Sequence, residues 1–189
     1  MSARESLTRP LLDLAFRFRV PLSWIVAVGG FILARPTVPS IVLGSALAAV
    51  GLGWRAWAAG TIRKNTELAH DGPYALSRHP LYFGNLTIAL GFGLASGRLV
   101  VLVAVIALAL AVYLPLIREE ESILLELFGD RYRQYMKAVP RLFPALQGIP
   151  AAGRQFSWRQ YLANHEYNAA LGYCAAVAAL AALRLFHLR

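Results

Sequence analysis

Long apolar runs constrain this chain more than any other feature of its sequence. Only 15% of the residues are charged and 58% are hydrophobic, whereas about a quarter of the residues are charged in an ordinary soluble domain. A helix needs about 20 mainly apolar residues to cross the hydrocarbon core of a bilayer. Five runs approach or reach that length, namely residues 20–34, 38–60, 81–96, 99–117 and 167–186. We therefore expect an all-α, polytopic integral membrane protein with about five transmembrane helices.

Basic residues are distributed unevenly around these runs. Arginines cluster before the first run and after the second and fourth runs, whereas only Arg35 and Arg98 lie in the two short turns on the other side. The positive-inside rule then predicts that the N-terminus is cytoplasmic. Residues 1–19 form a basic leader that we expect on the inner membrane surface. The net charge of +9 is thus explained by topology and anionic lipids, and nucleic-acid binding is not expected.

Two short stretches with chemically capable side chains flank the hairpin of the third and fourth runs. Residues 72–84 carry an Arg78-His79-Pro80 turn, and residues 119–121 are three consecutive glutamates. Since a hairpin that crosses a bilayer twice returns its ends to the same face, we expect the two stretches to meet in the cytoplasm. From Glu119 to about Val139 the spacing of apolar residues predicts a cytoplasmic amphipathic helix.

The first stretch combines groups that suit a polar cofactor. Tyr74 and Tyr82 bracket the turn with aromatic faces, which can hold a cation by cation–π attraction. Gly84 permits close approach either of a ligand or of a neighbouring helix. His79 precedes Pro80 and is therefore disfavoured in helical geometry, so the third run is expected to begin at Pro80.

The three glutamates favour a cationic or hydroxylated ligand, because adjacent carboxylates repel one another. Successive residues on a helix point about 100° apart, so one or two of them can face a common pocket. No metal centre is expected, since the chain has neither an HExxH helix nor a pair of cysteines. A Rossmann-type cofactor site and a serine nucleophile elbow are likewise not expected.

The spacing of these residues resembles that of the isoprenylcysteine carboxyl methyltransferase family, which is related to the membrane phospholipid methyltransferases. The matching positions are Gly72-Pro73-Tyr74, Arg78-His79-Pro80, Tyr82, Gly84, Glu120-Glu121, Leu124, Phe128-Gly129, Tyr132 and Tyr135. The resemblance covers residues 50–145, which we take as the catalytic core of a single domain spanning residues 1–189. Residues 166–187 are expected to add a further C-terminal transmembrane helix.

The resemblance implies an integral membrane methyltransferase that uses S-adenosyl-L-methionine. The implied cofactor-binding residues are Tyr74, His79, Pro80, Leu81, Tyr82, Gly84, Glu120 and Glu121, and the implied catalytic residues are Arg141 and Glu121. Which of Glu120 and Glu121 contacts the cofactor is left open. The implied acceptor is a lipophilic small molecule or a prenylated substrate within the membrane.

One departure from the family pattern concerns the acceptor. Prenylcysteine enzymes usually carry an arginine directly before the Val-Pro pair, whereas this chain has Ala138 before Val139-Pro140. Lys137 or Arg141 is then expected to supply the missing charge. Carboxyl O-methylation is favoured because an ionised carboxylate needs no general base, whereas an amine acceptor needs one.

Three alternatives to this interpretation remain open at the level of sequence. They are N-methylation of a phospholipid amine, reduction by a nicotinamide cofactor in a related helical scaffold, and a non-catalytic membrane protein of the same fold. An arginine-rich, lysine-poor composition with abundant alanine indicates a GC-rich bacterial genome. The expected location of this membrane protein is therefore a bacterial inner membrane. The oligomeric state is not predicted.

Overall fold

The computed structural model describes residues 24–62, 68–145 and 155–187. Every regular element in those ranges is a helix, so the expected all-α architecture is confirmed there. The helices are α1 (Trp24–Leu33), α2 (Val38–Thr61), α3 (Pro73–Leu76), α4 (Pro80–Ala95), α5 (Leu99–Phe128), α6 (Asp130–Ala138), α7 (Trp158–Ala163) and α8 (Tyr167–His187). The basic leader and the start of the predicted first span lie outside the described residues.

Three of the described helices are long and apolar enough to cross a bilayer. They are α2, α5 and α8, whereas α1 and α4 are apolar but shorter. Large apolar side chains point outward from several of these helices, for example Leu99, Leu171 and Phe186. An apolar outer surface of this kind is typical of a protein surrounded by lipid. The count of about five spans stays a prediction, since α1 and α4 fall below the length of the other three.

Helix α5 extends well beyond the apolar run that predicted it. It comprises 30 residues, which corresponds to a length of about 45 Å, compared with roughly 30 Å for a hydrocarbon core. The glutamates 119–121 therefore lie in the C-terminal part of the spanning helix itself. Gly129 then interrupts the predicted amphipathic helix, because it adopts a φ of +52° that favours glycine. The remainder of that predicted helix is α6.

Small residues bring α2 and α4 into close contact along their length. A Cβ added at Gly51 would lie 2.8 Å from the Gly84 carbonyl oxygen and 2.8 Å from the Ile88 nitrogen. A Cβ at Gly91 would similarly lie 2.5 Å from the nitrogen of Ala48. Small residues at matching positions allow helix backbones in a membrane to approach this closely. The position of α4, and of the motif at its start, is therefore set by its packing on α2.

The C-terminal helices α7 and α8 pack against α2. The Asn164 side-chain amide donates to the carbonyl of Ala59 at 2.7 Å, and the Ser157 amide donates to the carbonyl of Gly60 at 3.0 Å. Further along, the Tyr173 hydroxyl donates to the carbonyl of Ser45 at 3.1 Å. Helix α2 thus joins the α4–α5 hairpin to the C-terminal part of the chain.

Candidate active site

The α4–α5 hairpin brings the Arg-His-Pro turn against the glutamates of α5. The imidazole of His79 lies between two carboxylates: its Nδ1 is 3.6 Å from Glu120 Oε2, and its Nε2 is 3.4 Å from Glu121 Oε1. His79 is the residue before α4, with φ −126° and ψ 60°, as expected for a residue that precedes a proline. The side chain of His79 is almost fully buried, so this contact is an internal feature of the protein.

The neighbouring carboxylates Glu120 and Glu121 differ sharply in environment. Glu121 accepts from Nη2 of Arg141 at 2.6 Å and from Nε of Arg141 at 3.2 Å, and it lies 3.2 Å from Nη2 of Arg78. Its side chain is 5% exposed, compared with 47% for that of Glu120. Two guanidinium groups therefore neutralise Glu121, whereas the charge of Glu120 faces more open space.

Backbone pairing explains how Arg141 reaches this cluster. The amide of Arg78 donates to the carbonyl of Pro140 at 2.9 Å, and the amide of His79 donates to the carbonyl of Arg141 at 3.2 Å. Ser77 reinforces the pairing by donating its hydroxyl to the carbonyl of Leu142 at 2.9 Å. The segment after α6 is thus fastened alongside the Arg-His-Pro turn. Nothing in the apolar periodicity of the sequence signals this pairing.

A cavity of about 610 Å³ opens beside the cluster, within the range of 300–1,000 Å³ found for small-molecule sites. Its wall combines polar and apolar groups from the five helices α2–α6, from the segment between α2 and α3 and from the turn before α4. The lining residues include Arg55, Ile62, Leu68, Tyr74, Arg78, His79, Pro80, Leu81, Tyr82, Asn85, Leu116, Glu119, Glu120, Ile123, Leu124, Leu127, Phe128, Tyr132 and Tyr135.

The residues predicted to bind the cofactor do not all lie on the cavity wall. Six of them do, namely Tyr74, His79, Pro80, Leu81, Tyr82 and Glu120. Gly84 instead faces α2, where an added Cβ would lie 2.5 Å from Arg55 Cγ and 3.0 Å from the Gly51 carbonyl oxygen. Of the two uses considered for Gly84, the structure shows helix packing. Glu121 and Arg141 lie outside the lining set and contact each other, with Glu121 also touching His79.

Several buried polar atoms along this wall have no hydrogen-bond partner among the described residues. They are the hydroxyl groups of Tyr74 and Tyr132, Nε and Nη1 of Arg78, and Oε2 of Glu119. A buried polar group without a partner costs free energy, so atoms of this kind are expected where a polar ligand binds. The set includes both donors and acceptors, as a zwitterionic ligand requires.

The tyrosines at this end of the cavity are held in their neutral form. Burial raises the pKa of Tyr132 to about 12, with a smaller contribution from the Glu121 carboxylate. Burial likewise raises the pKa of Tyr74, helped by Glu120, and the pKa of Tyr135, helped by Tyr132. The Tyr135 hydroxyl donates to the carbonyl of Tyr74 at 2.6 Å, which ties α6 to α3. Phenol groups are therefore present at neutral pH as hydrogen-bonding groups and not as anions.

A second ionic network borders the cavity and was missed by the sequence interpretation. Nε and Nη2 of Arg55 donate to the two carboxylate oxygens of Glu166 at 2.6 and 2.8 Å, and Nη1 of Arg55 donates to Oδ1 of Asn85. Glu166 is 5% exposed and precedes α8, and Arg55 lies on the cavity wall. The available signal was that a single arginine interrupts the apolar run 38–60 and a single glutamate precedes the run 167–186.

Comparison with known proteins finds similarity to membrane methyltransferases. The family model for phospholipid methyltransferase matches residues 39–131. The protein-S-isoprenylcysteine O-methyltransferase of Schizosaccharomyces pombe is 33% identical over 102 residues, which cover 54% of this chain and 43% of that protein. No solved structure matches the chain.

Two bacterial relatives carry names from metal resistance. The cobalt-zinc-cadmium resistance protein CzcN of Cupriavidus metallidurans is 38% identical over 132 residues, covering 68% of this chain and 57% of that protein. The nickel-cobalt-cadmium resistance protein NccN of Alcaligenes xylosoxydans is 38% identical over 107 residues, covering 56% of this chain and 48% of that protein. The chain spans about half the length of the curated relatives it matches.

Proposed function

Since the chain belongs to the phospholipid methyltransferase family, together with the isoprenylcysteine O-methyltransferases, we propose that it transfers a methyl group from S-adenosyl-L-methionine to a lipophilic acceptor in the membrane. The observation that carries this proposal is the cavity beside His79, Glu120 and Arg78, whose wall is polar on one part and apolar on another. A methyl donor with several charges and a lipid-like acceptor need such a divided surface.

The polar part of the wall fits the chemistry of S-adenosyl-L-methionine. That molecule carries a sulfonium cation, an amino group, a carboxylate and ribose hydroxyls. The unpaired Nε and Nη1 of Arg78 are donors for the carboxylate, whereas Glu119 and Glu120 are acceptors for amino or hydroxyl groups. His79 and Tyr82 have ring centroids 5.8 Å apart, and Tyr82 offers an aromatic face for a cation.

In this proposal Glu120 contacts the methyl donor, whereas Glu121 contacts the residues that bind the donor and not the donor itself. Glu120 lies on the cavity wall with its carboxylate partly exposed, whereas Glu121 is enclosed by Arg78, Arg141 and His79. Glu121 therefore orients Arg78 and His79 toward the cavity. Arg141 neutralises Glu121 by a bidentate contact, so we assign it a positioning role in place of the catalytic role implied by the resemblance.

When bound, S-adenosyl-L-methionine supplies an electrophilic methyl group whose transfer leaves a neutral thioether. The acceptor atom donates an electron pair to the methyl carbon, and the pair of the carbon–sulfur bond stays with sulfur. The protein contributes alignment of the two reactants, which is a large source of rate enhancement in a displacement of this type. A carboxylate acceptor releases no proton, so none of the cavity residues has to act as a base.

The apolar part of the wall is suited to the hydrocarbon portion of the acceptor. It is formed by Ile62, Leu68 and the α5 residues Leu116, Ile123, Leu124, Leu127 and Phe128. Ile123 and Leu127 are 49% and 64% exposed, so this part of α5 also forms the outer surface. This exposed apolar surface of α5 is continuous with the cavity wall and offers a route for the hydrocarbon portion of an acceptor.

N-methylation of a lipid amine is the second candidate. Glu119 and Glu120 both line the cavity, and Oε2 of Glu119 is buried without a partner among the described residues. Such carboxylates attract an ammonium group and are able to accept the proton that an amine must lose. We place carboxyl O-methylation first because it requires no proton transfer.

We place the active site at the cytoplasmic face of a bacterial inner membrane, with α1 and α4 as short additional spans. The distribution of arginines supports this orientation. Helix α4 has only 16 residues, and short spans are accommodated by local thinning of the bilayer or by snorkelling of flanking residues.

The test is transfer of a labelled methyl group from S-adenosyl-L-methionine to a bacterial lipid extract by the purified protein. We expect label in the organic phase that is released by mild base, because a methyl ester hydrolyses whereas a methylamine does not. Base-stable label would select the amine candidate. Absence of label with the parent protein, under conditions where a known membrane methyltransferase labels its acceptor, would contradict the proposal.

A further inference from the structure

Arg55 brings a guanidinium group to the cavity from α2, a helix that carries neither of the two motifs. A guanidinium has five N–H bonds, one on Nε and two on each terminal nitrogen. Three of them are taken by the two oxygens of Glu166 and by Oδ1 of Asn85. One N–H bond on each terminal nitrogen therefore has no acceptor among residues 24–62, 68–145 and 155–187.

The remaining two N–H bonds of Arg55 suit an anion with two oxygens. Planar guanidinium groups bind carboxylates and phosphates through parallel hydrogen bonds from two nitrogens. The side chain of Arg55 is 20% exposed, and Arg55 lines the cavity, so a ligand in the cavity can reach it. Charged residues placed within apolar spans commonly mark such binding sites.

The other basic side chains near the cavity are assigned to other groups or lie outside the cavity wall. Arg78 belongs to the part of the wall assigned above to the methyl donor, and Arg141 directs both Nε and Nη2 to Glu121. Lys137 is exposed and lies outside the lining set, as does Ala138. Within the described residues, Arg55 is thus the cavity cation that is left for a second anionic group.

We infer that Arg55 binds an anionic group of the acceptor, a carboxylate or a phosphate, and that Glu166 is the positioning residue that holds it there. This inference rests on the methyltransferase proposal, which requires a second substrate in the cavity. Glu166 lies outside the part of the chain that matches the family model, residues 39–131. The C-terminal unit α7–α8 accordingly completes the acceptor subsite.

The role of Glu166 follows from the geometry of the pair. Its two oxygens occupy one edge of the guanidinium, formed by Nε and Nη2, which fixes the orientation of the plane. Asn85 of α4 contacts Nη1, so the group is held between α2, α4 and the start of α8. Because Glu166 balances the charge, recognition depends on the two directed N–H bonds more than on net charge.

The test compares lipids that differ only in their head group, in detergent solution. Oleate is compared with oleamide and lysophosphatidate with monoolein, and binding is followed by the fluorescence of the neighbouring residues Trp54 and Trp57. We expect the parent protein to bind at least one anionic lipid roughly tenfold more tightly than its neutral partner, since hydrogen bonds to charged groups contribute about that much. The pair that shows the preference identifies the anion as carboxylate or phosphate.

The informative variant is Arg55→Lys. A lysine keeps the charge that balances Glu166, but its three N–H bonds are used by Glu166 and Asn85, so none remains for a ligand. The preference for the anionic lipid should therefore disappear, whereas affinity for S-adenosylhomocysteine should change less than about threefold. The double variant Arg55→Gln/Glu166→Gln removes both charges together and should also lose the preference. Arg133→Lys is the matched control, because Arg133 forms an exposed ion pair with Asp130.

The outcomes separate the two proposals. Failure of the parent to prefer either anionic lipid, or an unchanged preference in Arg55→Lys and in the double variant, would overturn the acceptor subsite and leave the methyl-donor proposal standing. A preference that Arg55→Lys abolishes, in a parent that does not bind S-adenosylhomocysteine, would support the anion site and contradict the methyltransferase proposal.

Discussion

Two ionic networks border the same cavity, yet they are built in different ways. In the first, His79 and Glu121 are 42 positions apart and are joined by one hairpin, α4–α5. In the second, Arg55 and Glu166 are 111 positions apart and come from α2 and the start of α8. Apart from Arg141, the first network is contained in a short pair of motifs, whereas the second joins segments that lie far apart in the chain. One half of the site, around His79 and Glu121, is therefore encoded mainly by local motifs, and the other half, around Arg55 and Glu166, depends on tertiary packing.

The substitution Glu121→Ala should have the largest effect. It leaves Arg78 and Arg141 without their shared carboxylate, and removal of one partner from a buried ion pair costs about 3–5 kcal/mol. We expect a value near 4 kcal/mol in the free energy of unfolding, together with loss of S-adenosylhomocysteine binding, because Arg78 and His79 lose their orientation. Denaturant unfolding in detergent and calorimetry are the measurements. Glu126→Ala, at an exposed position of the same helix, should leave both quantities unchanged.

The substitution Glu166→Ala should separate the two networks. Arg55 keeps Asn85 and some contact with solvent, so we expect a cost of about 3 kcal/mol, slightly less than for Glu121→Ala. Binding of S-adenosylhomocysteine should fall by less than about threefold when measured below the unfolding transition. Equal losses of donor binding in the Glu121 and Glu166 variants would show that the two networks act as one unit. That result would contradict the separation of the two networks.

The substitution Gly51→Ala probes the contact between α2, which carries Arg55, and α4, which follows the Arg-His-Pro turn. The added methyl group would meet the backbone of α4 at 2.8 Å, and overpacking of this kind costs about 1–3 kcal/mol. Gly53→Ala is the matched control, since a Cβ there meets nothing within 4 Å and alanine favours a helix by roughly 0.5–1 kcal/mol. The two variants should therefore shift thermal unfolding in opposite directions. A shift of the same sign and size in both would contradict close packing of α2 on α4.

The smallest effect is expected from Tyr132 at high pH. Its pKa is raised to about 12 from an ordinary 10, so the folded protein holds this proton more tightly than the unfolded chain does. The resulting stability is fully present below pH 10 and is lost as pH rises from 10 through about 12. An ultraviolet titration of tyrosinate should show one fewer late-titrating group in Tyr132→Phe. If the group that disappears in Tyr132→Phe is instead one that titrates near pH 10 in the parent protein, burial of the Tyr132 hydroxyl would be contradicted.

The sequence predicted the motif half of the site better than the packing half. Apolar runs and the Pro80 boundary predict helices and a hairpin, and a hairpin alone is enough to bring His79 near Glu120 and Glu121. The pairing of Arg78 with Pro140 depends on backbone groups that every residue has, so no side-chain pattern signals it. The sequence likewise did not predict the neighbour of Gly84, which occupies a position of the motif but faces α2. Whether a glycine serves a ligand or a neighbouring helix depends on the register of two helices.

The lengths of the spans were the least predictable feature of the fold. The sequence predicted a span over residues 99–117 and a separate amphipathic helix from Glu119, whereas α5 joins the span to the first part of that helix and continues to Phe128. Helical backbone continues after the apolar run because Glu, Leu and Arg are favourable helix formers and the first residue that favours another conformation is Gly129. The extra turns carry Glu120 and Glu121, so the extension of α5 beyond the apolar run is what places carboxylates beside the Arg-His-Pro turn.

Binding of S-adenosylhomocysteine to the purified protein tests the central claim most directly. Calorimetry should detect one site in the parent protein, a loss of at least roughly tenfold in affinity in His79→Ala and in Glu120→Ala, and no change in Arg133→Lys. These results would locate the methyl donor on the cavity wall beside the Arg-His-Pro turn. No heat of binding in the parent, or equal affinity in the parent and both cavity variants, would contradict the claim that this cavity is a methyl-donor site.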